Sequence, residues 1–220
     1  TSNVTYAVPG IHGAALQLGG PGSSISIPPA APLRAITDTM TVSMWTNTGF
    51  MPTPGGATLF APSFPNPAWT ITQDGLFGDD IVVNGLFGRV TAPIFFDRPD
   101  RWAHIVVVFD GQQAFIYGNG MRMGQGPVGP PAMPPSPGGN AVLASGFQGA
   151  LDDVRIYNRA LTDAEVMALY TDPGVPPCGN LGITVHSDHV FDGSWAVFAV
   201  RNGRPHVRPR AADPWLWLPE

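Results

Sequence analysis

The segment from residue 147 to residue 170, FQGALDDVRIYNRALTDAEVMALY, constrains the fold more than any other part of the chain. Its first half alternates apolar and polar residues and ends at Asn158, which is typical of a β-strand. Thr162 and Glu165 then stand three residues apart, the spacing of a capping box at the start of a helix. The apolar residues of that helix fall on one face and are Val166, Leu169 and Tyr170. The segment therefore predicts a last strand of a sheet followed by a short capped helix.

The composition of the whole chain favours an all-β protein. Glycine and proline are abundant, at 27 and 25 of 220 residues, and neither follows a collagen-like period. Tight turns between short strands use both, because glycine tolerates positive φ and proline pre-sets its own φ. A chain of this length suits one large β-sandwich, with room for a modest appendage.

One strand is predicted with its two faces. Residues 39–46 alternate, which places Met40, Val42 and Met44 on one face and Trp45 on the other. The three aliphatic side chains are therefore expected in the core.

Other segments predict further strands and their connections. Residues 14–28 and 81–90 predict hairpins, the second around Asn84-Gly85. Five consecutive apolar residues at 105–109 predict a central strand that is covered on both sides. Prolines interrupt residues 59–71, which we therefore expect to be mostly loop.

Charge and cysteine content exclude several classes of protein. The 16 acidic residues outnumber the 11 basic ones, for a net charge of −5, whereas nucleic-acid-binding proteins present a basic face. Cys178 is the single cysteine, so no internal disulfide is expected. No apolar run approaches the roughly 20 residues that a membrane-spanning helix needs, and the N-terminus lacks a basic and apolar signal segment. We expect no nucleic-acid partner and no membrane span.

The distribution of carboxylates argues against a glycosidase. Such enzymes need two carboxyl groups about 5 to 9.5 Å apart. The chain has two glutamates, Glu165 in the predicted helix and Glu220 at the end. Asp79 and Asp80 are adjacent, and adjacent residues of a strand point to opposite faces. The sequence also lacks a serine-nucleophile elbow and a phosphate loop. We therefore predict that the chain is not an enzyme.

Four segments, in chain order, resemble the laminin-G-like, Concanavalin A-like jelly-roll family. They are residues 10–18 (GIHGAALQL), 40–45 (MTVSMW), 101–120 (RWAHIVVVFDGQQAFIYGNG) and 147–161 (FQGALDDVRIYNRAL). The resemblance implies an antiparallel two-sheet sandwich with one short C-terminal helix. It also implies recognition of glycans, proteins and cell surfaces as the main activity.

The same resemblance implies one metal ligand. In glucanase relatives an Asp at the start of the last strand ligates a structural calcium ion, and the matching residue is Asp152. The alternative interpretation is that Asp152 or Asp153 pairs with Arg155 or caps a turn. No other cofactor is predicted.

The C-terminal part differs in character from the rest. Val175-Pro176-Pro177 is typical of a linker, so we divide the chain into a laminin-G-like domain, 1–174, and a small β appendage, 175–220. Within the appendage, residues 181–207 predict two or three strands with a turn at Asn202-Gly203. Its aromatic tail is expected to dock, either on its own domain or on a neighbouring subunit.

Two functional hypotheses follow; they are compatible, and the second, an assembly role, is the primary prediction. The first is a secreted or cell-surface lectin, for which Phe64, Trp69 and Phe77 are the candidate residues to stack on a glycan. The second is a structural protein of a virion. All basic residues of the chain are arginine and the chain is rich in proline and glycine, and in these respects it resembles small laminin-G-like proteins encoded among tailed-phage virion genes. Such a minor tail or capsid-decoration protein would be a homo-oligomer or bind other virion proteins and host glycans. Its assembly contacts would come from Trp195, Trp215 and Trp217.

Overall fold

The computed structural model describes twelve stretches of the chain, and all structural statements concern these residues. They are 4–11, 13–28, 36–48, 56–62, 68–74, 80–93, 101–131, 140–171, 182–186, 196–201, 204–208 and 216–217.

The described residues form seventeen strands and one helix. In chain order these are β1 (Val4–Pro9), β2 (Ala14–Gly19), β3 (Ile25–Ile27), β4 (Met40–Thr48), β5 (Ala57–Ala61), β6 (Thr70–Asp74), β7 (Asp80–Asn84), β8 (Arg89–Pro93), β9 (Ala103–Phe109), β10 (Gln113–Gly118), β11 (Met121–Pro127), β12 (Ala141–Ser145), β13 (Gln148–Tyr157), α1 (Asp163–Thr171), β14 (Gly182–His186), β15 (Ala196–Arg201), β16 (Arg204–Arg208) and β17 (Leu216–Trp217).

The strands form two stacked sheets, as the predicted jelly-roll sandwich requires. The larger sheet has the order β11-β10-β9-β4-β13-β14-β15-β16-β17, with β2 also pairing with β13 and β1 with β2. The smaller sheet has the order β3-β12-β5-β6-β7-β8. Neighbouring strands are antiparallel, with the exception of the parallel pair β14–β15 among the described strands. The predicted fold class is confirmed.

The main core lies between the two sheets. In β4, Met40, Val42 and Met44 point into it and Trp45 lies on the other face, as predicted. The largest buried side chains of this core include Phe60 and Phe109. Each fully buried large apolar side chain contributes about 1.5–3 kcal/mol to folding, so this layer supplies most of the stabilising free energy.

A second apolar layer lies on the outside of the larger sheet, beneath α1. We call it the outer cluster, and its members are Val106, Val108, Tyr117, Tyr157, Leu161, Val166 and Leu169. Strand β9 sends Ile105 and Val107 into the main core and Val106 and Val108 into the outer cluster. The prediction of a central strand covered on both sides is therefore confirmed.

The predicted hairpin at residues 14–28 is wrong. Its two strands, β2 and β3, belong to different sheets. Gly20, with φ of +86°, donates its N–H to the carbonyl oxygen of Phe147 at 3.0 Å. The hydroxyl of Ser23 donates to the same oxygen at 3.1 Å and to the Gly20 oxygen at 2.6 Å. This turn is hydrogen-bonded to a residue that is distant in the sequence. It leads the chain from the larger sheet to the smaller one.

The other predicted connections have mixed outcomes. Both ends of residues 59–71 are strand and not loop, because β5 continues to Ala61 and β6 begins at Thr70. The hairpin at 81–90 is confirmed as β7–β8, with the four-residue loop Gly85–Gly88. Strands β9 and β10 also form a hairpin.

The capping box of α1 is confirmed. The N–H of Thr162 donates to Glu165 Oε2 at 2.9 Å, and the N–H of Glu165 donates to Thr162 Oγ1 at 3.3 Å. Arg159 donates hydrogen bonds from Nη1 and Nη2 to the two oxygens of the Glu165 carboxylate. Val166 and Leu169 are buried against the sheet. None of the described helices has the length and apolar character to cross a membrane.

The C-terminal strands continue the larger sheet. Strand β14 pairs with the second half of β13, and β15 pairs antiparallel with β16, with Arg201 opposite Arg204. The predicted turn at Asn202-Gly203 lies outside the described residues. The predicted strands are thus observed, and the short β17 pairs with β16 of its own chain. The division of the chain at 174 and 175 falls outside the described residues and stays a prediction.

Replacing Glu165 with glutamine should show how much its ion pair with Arg159 contributes to the free energy of unfolding. Arg159 lowers the pKa of Glu165 from 4.5 to about 2. A depressed carboxyl pKa stabilises the folded state above pH 4.5, and this contribution is lost as the pH falls toward 2. Urea unfolding should therefore give a loss of about 0.5–1 kcal/mol for Glu165→Gln at pH 7, shrinking steadily toward pH 3. A difference that did not depend on pH would contradict this role.

Candidate functional site

The candidate site is the outward face of the smaller sheet, on the side opposite the main core. The inward faces of both sheets form the main core, and the outer cluster and α1 cover the part of the larger sheet formed by β9, β10 and β13. Most side chains on the outward face of β5 to β8 are polar, and we call these polar residues the polar face. Its members are Thr58, Thr70, Thr72, Asp74, Asp80, Asn84, Arg89 and Thr91.

Strand alternation produces this face. Ile71, Ile81 and Val90 point inward from β6, β7 and β8, so their immediate neighbours point outward. Cross-strand register then aligns the outward residues into rows. One row runs from Thr58 through Thr72 and Val82 to Thr91. Val82, in the middle of this row, is apolar and 1% exposed.

A second row carries amide and charged groups. Asn84 lies opposite Thr70 on one side and Arg89 on the other, and its Nδ2 donates to Thr70 Oγ1 at 3.4 Å. Arg89 Nη2 lies 3.4 Å from Asp74 Oδ2, and these side chains are 58% and 50% exposed. An ion pair this exposed contributes little to stability. The polar face therefore offers hydroxyl, amide and guanidinium groups to a ligand.

The structure brings together a pair of carboxylates that the sequence did not indicate. Asp74 and Asp80 lie directly opposite each other in the β6–β7 pair, and opposite residues have Cβ atoms about 4.5–5.5 Å apart. Only the register of the two strands reveals this pair, since the two residues are not adjacent in the sequence. A glycosidase acid must keep its proton, which usually requires burial, whereas the Asp74 side chain is half exposed and paired with Arg89.

The prediction that Trp69 stacks on a glycan is wrong. Its side chain is 3% exposed and lies in the main core, stacked on Phe60 at 5.6 Å and tilted against Phe109 at 4.7 Å between ring centroids. Trp69 precedes Ile71 by two residues, so both point to the same face. The nearby prolines had indicated a loop, but the alternation with Ile71 was the stronger signal. Phe64 and Phe77 lie outside the described residues.

Asp152 lies in a bulge of β13. Asp152 and Asp153 stand between Leu151 and Val154, which both point into the main core. The N–H of Asp153 donates to Asp152 Oδ1 at 2.8 Å, and Asp153 has a φ of +46°. Arg155 donates to both carboxylate oxygens of Asp153, at 2.9 and 2.8 Å. Burial raises the pKa of Asp153 to about 6, although Arg155 opposes this shift.

The turn between β1 and β2 closes on Asp152. The N–H of Gly10 donates to the Gly13 oxygen at 3.0 Å. A methyl group on Gly10 would collide with Asp152 Oδ2 and crowd Ala15, so only glycine fits against this carboxylate.

Calcium at Asp152 stays a prediction, and the surrounding residues limit its form. No group of three His, Cys, Asp or Glu side chains occurs within the described stretches. Because Arg155 binds both oxygens of Asp153, Asp152 would be the one carboxylate ligand that the described part of this bulge supplies. Calcium takes about 6 to 8 oxygens, so backbone carbonyls would supply most of them.

Ser43 and His104 form a pair that resembles a nucleophile and its base. Ser43 Oγ lies 2.9 Å from His104 Nε2, but each residue is 1% exposed. Burial, with a further contribution from Arg155, lowers the pKa of His104 to about 3. The ring stacks on Trp45 at 4.9 Å between centroids, and the backbone N–H of His104 donates to Asn119 Oδ1 at 2.9 Å. The pair therefore belongs to the interior.

The predicted assembly residues are only partly described. Trp217 lies in β17, opposite His206 of β16. Trp195 and Trp215 lie outside the described residues.

Comparison with known proteins agrees with this architecture. An antiparallel jelly-roll sandwich with one covering helix defines the lectin and glucanase class of β-protein. A laminin G family model, described as Concanavalin A-like lectin/glucanases superfamily, matches residues 18–167. The chain belongs to this superfamily. Among curated proteins, no sequence matches the chain.

Several solved structures share the fold. Domain 4 of AbnA, an extracellular GH43 arabinanase from Geobacillus stearothermophilus solved with arabinotriose, is 22% identical with a TM-score of 0.60, and 77% of this chain and 82% of that chain are covered. The binding domain of Paraclostridial Mosquitocidal Protein 1 is 16% identical with a TM-score of 0.59 and coverages of 94% and 57%. The binding domain of Botulinum neurotoxin DC is 13% identical with a TM-score of 0.56 and coverages of 77% and 45%. At these identities the similarity shows the fold.

A calcium ion at Asp152 should make the melting temperature depend on calcium. A ligand at 100 times its Kd stabilises the fold by about 2.7 kcal/mol, which is about 5–10 °C for a domain of this size. Differential scanning fluorimetry should show this increase for the wild-type protein and its loss with EDTA or Asp152→Asn. Asp80→Asn, which removes a carboxylate of the polar face, is the matched control and should keep the response. An equal response in Asp152→Asn would refute the site.

Proposed function

We propose that the protein is a non-catalytic, lectin-like module that binds a glycan on the polar face. The observation that carries this proposal is an outward sheet face that presents mainly hydroxyl and amide groups, on a fold of the lectin class. Sugars are bound by a few placed hydrogen-bonding groups together with apolar contacts. Because the threonine and asparagine side chains stand on paired strands, their spacing is set by the sheet and little ordering is required on binding.

The similar structures support a binding role. Domain 4 of AbnA was solved with arabinotriose, and the two toxin structures are binding domains. These proteins share the fold of this chain, and in this chain the polar face is the surface that we propose for binding.

The chemistry of the described residues supports a non-catalytic role. Asp74 is half exposed and paired with Arg89, which suits a hydrogen-bonding group more than a proton donor. The Ser43–His104 pair is buried and its histidine has a pKa of about 3, too low for a general base near neutral pH. The polar face is thus proposed to hold a sugar without cleaving it.

The proposal predicts that Asn84→Ala weakens glycan binding. A hydrogen bond contributes about 0.5–1.5 kcal/mol, so the affinity for a bound glycan should fall about 3- to 10-fold. A glycan array would identify a ligand, and isothermal titration calorimetry would compare the variants. Gln125→Ala removes another exposed amide, on β11 of the larger sheet, and should bind as the wild type does. Equal losses in both variants, or an array without a binding glycan, would count against the polar face.

A second candidate function is assembly into a virion. Strands β14 to β17 lie beyond the matched residues 18–167 and lengthen the larger sheet. We propose that this extension packs against other virion proteins or further copies of the chain, as in a minor tail or capsid-decoration protein. The glycan then lies on the host surface; in the lectin alternative the protein is extracellular.

Removal of residues 213–220 tests the assembly role. These residues include β17, which pairs with β16 and lies far along the sheet from the main core. The truncated protein should keep its far-ultraviolet circular dichroism spectrum and its glycan binding while losing self-association in sedimentation velocity. A truncated chain that sediments like the full-length protein would refute this role for the tail.

A further inference from the structure

We infer that the β7–β8 loop holds an aromatic platform, Phe87 supported by Leu86, against which a neutral sugar stacks. This inference rests on the proposed glycan-binding function and assigns its apolar contact. The platform differs from the residues that the sequence indicated for this role.

Leu86 and Phe87 are the most exposed adjacent apolar side chains of the described residues. They are 64% and 75% exposed at the tip of the four-residue loop Gly85–Gly88. Exposing an aromatic ring to water is unfavourable, since burial of such a side chain is worth about 1.5–3 kcal/mol. A ring kept exposed therefore marks a contact surface when its position is also fixed.

The position of Phe87 is fixed by backbone contacts. Its N–H donates to the Val128 oxygen at 3.3 Å. A methyl group on Gly129 would come within 2.5 Å of Phe87 Cδ2, so the ring rests directly on the Gly129 backbone. At both ends of the loop, Gly85 and Gly88 approach the backbone of Val128 and Pro127 too closely for a side chain. The loop is clamped and the ring is pre-organised, which reduces the entropy lost on binding.

Hydrogen-bonding groups flank the platform. Asn84 and Arg89 stand at the two ends of the loop, directly opposite each other, and both point outward on the polar face. Aromatic rings contact the C–H face of a sugar while nearby polar groups bind its hydroxyls. The β7–β8 hairpin therefore carries both an apolar ring and hydrogen-bonding side chains, which favours a sugar over a wholly apolar partner.

The charges near the loop favour a neutral sugar. Asp74 and Asp80 face each other on the adjoining strands, and Arg89, the cation of the polar face, is already paired with Asp74. The whole chain has a net charge of −5. Because Arg89, the cation at the base of the loop, already pairs with Asp74, a sialic or uronic acid carboxylate would have to displace the Asp74 carboxylate, which favours a neutral sugar.

Affinity measurements on neutral and sialylated versions of one array-identified oligosaccharide test the inference. Phe87→Ala should lower the affinity for the neutral form at least 10-fold, and Phe87→Tyr should retain it within about 3-fold. Met121→Ala is the matched control, because Met121 is 65% exposed on β11, and it should bind as the wild type does. The exposure of Phe87 predicts an unchanged melting temperature in every variant.

The possible outcomes separate this inference from the proposed function. If the wild type binds no glycan, the proposed function fails. If the wild type binds and Phe87→Ala binds equally well, the lectin function stands and the platform is refuted. Stronger binding of the sialylated form overturns the neutral-sugar assignment. A change in sedimentation with unaltered glycan binding in Phe87→Ala assigns the loop to self-association and also overturns the inference.

Discussion

A buried ion pair between Asp153 and Arg155 holds β13 at the point where this strand changes its neighbour. Residues 148–151 of β13 pair with β2, residues 154–157 pair with β14, and the bulge lies between them. Asp153 adopts a positive φ of +46° there, which costs on the order of 1 kcal/mol or more. Its bidentate contacts with Arg155 offset that strain. Loss of one partner would leave a buried charge unpaired, at about 3–5 kcal/mol, so both halves of the larger sheet depend on this pair.

Local patterns predicted the parts of the fold that local physics determines. The alternation in β4, the capping box of Thr162 and Glu165, and the β7–β8 hairpin each involve residues that are close in sequence. The turn at Gly20 and Ser23 could not be predicted in this way, because its anchor is the distant carbonyl of Phe147. Periodicity shows that β2 and β3 are strands, but not which sheet each one joins.

The candidate site was less predictable than the fold for a related reason. Aromatic side chains in a proline-rich segment had indicated a binding loop, yet Trp69 is a core residue. The polar face arises from the register of four strands, and Asp74 meets Asp80 only through that register. The sequence did not indicate Phe87, because the residues of a hairpin turn do not show whether the tip of the turn is buried or exposed. Burial had to be observed.

The anchoring of Gly20 and Ser23 to Phe147 has a consequence for biosynthesis. The hydroxyl of Ser23 and the oxygen that it contacts are 124 residues apart in the chain. Strand β2 pairs in part with β13, so Leu16 and Leu18 can be buried only after nearly the whole sandwich has left the ribosome. Such non-local contacts make folding slow, and the unpaired strand remains open to aggregation in the meantime. Soluble yield should therefore depend on the rate of synthesis and on chaperones, even though the finished fold is well packed.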